Sequence, residues 1–156
     1  MAVAVAEDWV RGPLKRFVDD GRLLLAILLR ADGQVLGQHG FSRSVDVMSA
    51  CALAAGIYAS AGEVGRMLEG RPFHVIHHAG AERQLFMAPA ETQRGSLLVL
   101  AVFDAESSLG LVQLYHAELA AALAAAAPEQ EPEGPVLADA FEVELNRNLA
   151  ALFGRA

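Results

Sequence analysis

The chain has one cysteine, Cys51, in 156 residues. No disulfide can form within one copy, and a reducing compartment is expected. It also lacks any cluster of basic residues: 12 Lys and Arg face 19 Asp and Glu, for a formal net charge of −7. That balance excludes an obvious surface for nucleic acid or for anionic lipid. Long hydrophobic runs are missing too. The strand-like apolar stretches 23–29 and 97–103 are seven residues each, far short of the roughly 20 needed to cross a bilayer. The opening "MAVAVAEDW" has no basic segment ahead of its apolar residues, so neither a signal peptide nor membrane insertion is expected. A cytoplasmic location follows as the expectation.

Catalytic signatures are absent in the same way. "GQVLGQHG" spaces its glycines without a following Lys-Ser/Thr and continues a strand, so it is no phosphate loop. There is no Gly-x-Ser-x-Gly, no His-Glu-x-x-His and no Cys-x-x-Cys. Cys51 falls among alanines on a helix face that also carries Ala54, Tyr58 and Leu68, and reads as a buried structural thiol. Asp104 and Glu106 suit the positive end of a following helix better than acid–base chemistry. No catalytic residue, no metal and no cofactor is expected.

What is abundant is apolar: 54% hydrophobic residues and a mean hydropathy of +0.32, with much of the excess in alanine. Close helix packing, or surface covered by a partner, would account for it. Along the chain, Val10, Leu14, Phe17 and Val18 recur at helical spacing, with Gly12 and Pro13 delaying the start and Gly21 ending a first helix. "LLLAILL", the turn "RADGQ" and "VLGQHG" read as a hairpin. "FSRSVDVMSACALAAGIYASAGEVGRML" opens with Ser42 or Ser44 as cap and Asp46 in its first turn, and runs without proline to Gly70 as one long helix. "QLFMAP" and "SLLVLAVFD" are strands separated by a polar turn at 91–95, and a helix capped by Ser107 or Ser108 follows.

"PFHVIHHAG", residues 72–80, places three histidines within five residues. Bounded by Pro72 and Gly80 and carrying Phe73, Val75 and Ile76, it reads as a strand. His74, Ile76 and His78 then share one face, and Phe73, Val75 and His77 the other. His74 and His78 would stand about 13 Å apart at roughly 3.3 Å per residue, too far to share an ion. Polar positions on a half-exposed strand are the plainer reading.

The long helix has two faces at 100° per residue. Cys51, Ala54, Ile57, Tyr58, Ala61, Val64 and Leu68 form a candidate core stripe. Opposite lie Met48, Ala52, Ala55, Gly56, Ala59, Gly62, Glu63 and Arg66. A water-covered face would be charged, whereas this one is small until its last turn. Glycines in an exposed helix cost about 0.8–1.0 kcal/mol each relative to alanine. The small face is either a consequence of alanine-rich composition or a surface that another protein covers.

Residues 127–135, with "PEQEPEGP", form a linker too rich in proline and glutamate to build a core. Beyond it, 136–156 carries Leu137, Phe141, Leu145 and Leu152 on one helical stripe. The division is therefore a domain at 1–126, the linker, and a C-terminal amphipathic helix that needs a groove on this domain, on a second copy or on another protein.

The order α-β-β-α-β-β-β-α, giving an α/β fold with a five-stranded antiparallel sheet, resembles the Roadblock (dynein light chain) family. That family is profilin-like and longin-related. "LLLAILLRADGQVLGQHG" matches its opening hairpin, and "SLLVLAVFDAESSLGLVQL", an apolar strand running through an acidic turn into the last helix, is similar to the MglB-like branch of bacterial gliding motility. The resemblance covers roughly Leu14 to Ala126 and implies a non-enzymatic homodimer that regulates or scaffolds a Ras-like small GTPase. It implies a dimer edge strand at Phe73, His74, Val75, Ile76, His77 and His78, and a GTPase platform at Ala52, Ala55, Gly56, Ala59, Gly62, Glu63 and Arg66. Tails in such proteins can also touch the GTPase, which makes Leu137, Phe141, Leu145 and Leu152 possible contacts. Histidines on a self-pairing edge would discourage arbitrary strand partners. Two other readings stay open: a profilin-like ligand-sensing module with a polar pocket on the sheet face away from the helices, and an assembly scaffold that binds a non-GTPase partner through the C-terminal helix.

Overall fold

The computed structural model describes residues 7–40 and 47–129. Eight elements follow in the order α1 (Asp8–Gly21), β1 (Leu25–Arg30), β2 (Val35–Gly40), α2 (Val47–Glu69), β3 (Ile76–Ala79), β4 (Gln84–Thr92), β5 (Gly95–Phe103) and α3 (Leu109–Ala126). The strands make one sheet in the order β2-β1-β5-β4-β3, antiparallel at every pairing. The proposed caps Ser42, Ser44 and Asp46, the linker after Glu129 and the C-terminal stripe lie outside the described residues.

Both faces of the sheet are covered. On one side α1 and α3 bury Val10, Leu14, Phe17, Val112, Leu119 and Leu123 against Leu28, Phe86, Val99 and Phe103. On the other, Cys51 and Ala54 of α2 pack with Ile27, Leu29, Met87 and Leu100. β1 and β5 lie in the middle and are wetted on neither face. That is why they read as unbroken apolar runs instead of an alternating pattern.

Local chemistry places the turns. Asp32 Oδ1 accepts from the Gln34 N–H at 2.9 Å, and Gly33 takes φ +90°, a left-handed conformation that glycine adopts freely. The β4–β5 turn is tighter than its polar sequence suggests. Thr92 pairs directly with Gly95, leaving two residues in the loop, and Thr92 Oγ1 donates to the Gly95 carbonyl at 2.9 Å. Ser108 is the α3 cap: its Oγ accepts from the Leu111 N–H at 3.2 Å. Asp104 acts one turn earlier than expected, accepting from the Glu106 N–H at 2.9 Å, and neither acid stands in the first turn of α3.

Two expectations about helix starts and packing are corrected. Gly12 and Pro13 do not delay α1, which begins at Asp8 and keeps Pro13 buried within it. Proline in a helix interior sacrifices one backbone bond, but here its ring belongs to the apolar face that meets the core. In α2, Ile57, Val64 and Leu68 are exposed by 37%, 48% and 72%, so the expected core stripe is rotated. The cause is Gly65, to which hydrophobic periodicity assigns no role. A Cβ there would run into the backbone nitrogen of Phe73 and lie 2.8 Å from the Arg71 carbonyl oxygen. The chain leaving α2 turns back against this bare spot and fixes which way the helix faces.

Gly65→Ala therefore forces backbone to move and should destabilise the fold by about 1–3 kcal/mol. Gly56→Ala should instead be neutral, or stabilise by up to about 1 kcal/mol, because nothing lies within 4 Å of a Cβ at that position. Urea melts of the two variants beside the parent check the pair.

Candidate partner-binding surface

The inner side of α2, which meets the sheet at Cys51 and Ala54 and residues 71–73 at Gly62 and Gly65, is built mostly from small residues. Cys51, Ala54, Gly62 and Gly65 are buried, and Tyr58 and Ala61 are half-buried. Burial pushes the Cys51 thiol above its ordinary range, so it stays protonated and inert. With small groups underneath, the larger apolar side chains of α2 turn outward. Leu53 is 69% exposed, Met67 85% and Leu68 72%, with Ile57 and Val64 between them. At 100° per residue these five fall within an arc of roughly 100°, a single continuous stripe. The sequence reading assigns no role to Leu53 or Met67, although they share helical spacing with Ile57 and Val64. Size alone suggests that such residues point inward.

The expected platform occupies the neighbouring flank. Ala52, Gly56, Ala59, Glu63 and Arg66 are exposed, and Ala55 is half-buried beside the β1–β2 turn. Gly62 is corrected: it is buried, and a Cβ there would touch the Pro72 ring at 3.6 Å, so it belongs to the internal contact and not to the surface. Glu63 and Arg66 pair with each other on the exposed side, where an ion pair contributes little.

Next to this flank runs a groove of about 540 Å³ between α2, residues 72–74 and the β4–β5 hairpin. Tyr58 Oη donates to the His74 carbonyl at 3.4 Å on one wall, and Ser96 Oγ donates to Glu91 Oε1 at 2.9 Å on the other. Burial, and then the Glu91 charge, raise the Tyr58 hydroxyl above its usual pKa. The sheet has no helix-free face to hold a ligand pocket, because helices cover both sides.

The histidine strand is shorter than its sequence suggested. β3 spans Ile76–Ala79 only, and Phe73, His74 and Val75 precede it. The contact of residues 71–73 with Gly65 holds that stretch near the helix and out of the sheet. Within β3 the alternation stands. Ile76 is buried on the α2 side, while the His77 ring stacks on Phe103 at 6.2 Å and its Nε2 lies 2.8 Å from Gln84 Oε1. Among the described residues no three His, Cys, Asp or Glu side chains converge.

Because β3 pairs only with residues 84–87 of β4, the remainder of that strand has no outer neighbour among the described residues. Pro89 sits there with no N–H to offer another chain. Its carbonyl is occupied, accepting from His116 Nε2 of α3 at 3.1 Å, and the same imidazole meets Phe86 edge-on at 5.4 Å. Burial lowers the His116 pKa, and the bond to Pro89 offsets this only in part. An unfolded histidine titrates near 6.5. As pH falls through that value the unfolded chain takes a proton that the folded chain refuses, so stability is lost until the lower folded pKa is reached.

Similarity to known proteins coincides with this geometry. The profile of the Roadblock/LC7 domain matches residues 14–101. Myxococcus xanthus MglB is 24% identical, with a TM-score of 0.67 over 75% of this chain and 93% of that one. The gliding protein MglB of Thermus thermophilus is 22% identical, with a TM-score of 0.70 over 81% and 94%. An MglB structure described as having a tetrameric arrangement is 21% identical, with a TM-score of 0.69 over 81% and 95%. No curated protein matches in sequence. At these identities the likeness is one of fold.

For His116 the expected outcome is a melting temperature that drops between about pH 7.5 and 5.5, with a shallower drop in His116→Phe, which keeps an aromatic ring against Phe86. Thermal melts across that range measure the difference. The profile match spans more than half of the sequence, and with the observed helix and strand order it assigns the chain to the Roadblock/LC7 domain family.

Proposed function

We propose that this chain is a homodimeric, non-enzymatic regulator or scaffold of a Ras-like small GTPase. The observation that carries the reading is α2, which presents two different uncovered surfaces side by side. One is the apolar stripe of Leu53, Ile57, Val64, Met67 and Leu68, and the other is the small flank of Ala52, Gly56 and Ala59. An exposed apolar stripe on a soluble domain marks an association surface. A second copy suits it, because a two-fold axis lets one stripe cover its own equivalent. The tetrameric arrangement named for one MglB structure supports self-association in this fold.

The GTPase takes the small flank. Ala52, Gly56 and Ala59 carry no long side chains to clear, so a partner's backbone can come close, and Glu63 with Arg66 supplies charge at one end. Regulation then acts through the GTPase's own residues, since the described part of this chain brings no catalytic constellation to that flank.

Two substitutions separate the surfaces. Met67→Glu is expected to leave the fold intact, since the side chain is 85% exposed, and to yield a 16.5 kDa monomer by light scattering. Ala59→Arg is expected to keep the melting temperature and the dimer mass. It should weaken binding to a Ras-like GTPase by a factor on the order of 100, about 3 kcal/mol, through overpacking and a buried unpaired charge. A monomeric parent, or an Ala59→Arg chain that binds normally, would overturn the corresponding half.

A further inference from the structure

Beside the small flank of α2, the groove of about 540 Å³ combines an apolar lining with an unmatched charge. Tyr58, Pro72, Phe73 and Pro89 line it, and all four are half-buried. Its carboxylates are Glu63 and Glu91, and its guanidinium is Arg66. Glu63 and Arg66 pair with each other, which leaves Glu91. No cation pairs with Glu91 among the described residues: Arg94, three residues on in the same hairpin, reaches Glu7 instead at 3.2 Å. Ser96 Oγ donates to Glu91 Oε1 at 2.9 Å, but a carboxylate has about four acceptor sites and the others stay open. The charge is felt across the groove, since after burial it is what raises the Tyr58 hydroxyl above its usual pKa. On the wall opposite Glu91, the His74 carbonyl accepts from Tyr58 and keeps a second lone pair.

We infer that this groove receives a basic side chain of the protein that docks on the α2 flank, an arginine in preference to a lysine. The inference rests on the flank being a docking surface, because Ala59 and Glu63 belong to both. Charge complementarity selects the occupant. An anionic group would face Glu91 with no free cation beside it, and a purely apolar one would cover that carboxylate without a partner, which is costly. A basic side chain answers both parts of the lining: its methylene stem lies on the prolines and aromatic rings while its charged head stays at Glu91. Arginine is favoured because its planar guanidinium stacks on an aromatic face and presents several donors at once, here to Glu91 and to the His74 carbonyl, whereas an ammonium is a compact and strongly hydrated point charge.

The test uses the full chain and no GTPase, so its failure leaves the reading of the flank standing. Isotope-labelled protein is titrated at about pH 7.5, where an ordinary imidazole is mostly neutral, with the end-blocked peptide Gly-Gly-Arg-Gly-Gly. Two further peptides carry lysine, or citrulline, which keeps the shape of arginine and lacks its charge. The expected result with the arginine peptide is a saturable shift of the amide signals of Tyr58, Phe73, Glu91 and Ser96. Binding should weaken by a factor on the order of 10 for the citrulline peptide, and equally for the arginine peptide on Glu91→Gln. Glu91 is exposed, so that variant should keep the parent spectrum elsewhere. The lysine peptide should bind between the two. Absence of saturable shifts, citrulline binding as tightly as arginine, or a Glu91→Gln chain that binds arginine like the parent would each overturn the inference. Lysine binding as tightly as arginine would overturn the preference for a guanidinium.

Discussion

The burial of β1 and β5 on both faces is the constraint from which the rest follows. A five-stranded sheet whose central strands are apolar on both sides must be covered twice, and the chain has three described helices to do it. Two of them, α1 and α3, share one face, leaving α2 alone on the other. That helix meets the strands through few side chains, with Cys51 and Ala54 buried against Ile27, Leu29, Met87 and Leu100. Further along, Gly62 and Gly65 lie against residues 71–73, where the chain turns back on the helix. The large residues of α2 then have no place underneath and must point away from the sheet. The uncovered stripe thus follows from how this face is closed, and a surface made in that way invites a partner.

This explains which parts of the molecule could be read from the sequence. Turns whose geometry depends on one or two residues were legible: Asp32 with Gly33 in the first hairpin, and the α3 cap narrowed to Ser107 or Ser108, of which Ser108 is the cap. Strands buried on both faces were equally plain, because 97–103 is apolar throughout. The rotation of α2 was not legible. Hydrophobic periodicity assumes that larger apolar residues face inward, and here the fold-back of residues 71–73 onto Gly65 turns the small side inward instead. The signal that could have corrected it was Gly65, costly in a helix unless something presses against it. The length of β3 failed for the same reason, since a strand-like sequence at 73–75 was overruled by a contact with a helix several residues earlier.

The family assignment and the surface assignment rest on different grounds. Strand order, helix order and a profile over residues 14–101 establish the family. They do not say which flank of α2 meets which partner. That distinction comes from side-chain size: an apolar stripe that water covers at a cost, beside a flank whose alanines cost little to expose. On that ground we propose a second copy for the first kind and a reversible partner for the second, which the free protein can leave uncovered.

The edges of the sheet show how such a protein could present uncovered surfaces without aggregating. An open strand edge is a template for any extended chain. β3 is only four residues long and carries two exposed histidines, His77 and His78, which limits what can pair beside it. Where β3 stops, β4 continues for another five residues, but Pro89 removes a donor there and His116 occupies its carbonyl. His116 stands on α3, and Phe86, which its ring meets, belongs to the core that α3 covers. Protection of the edge is thereby tied to docking of that helix: loosening α3 would uncover apolar core and free the Pro89 carbonyl together. This edge of the sheet is closed to indiscriminate pairing by groups that also hold the fold, while the outer faces of α2 and α3 bear no such burden.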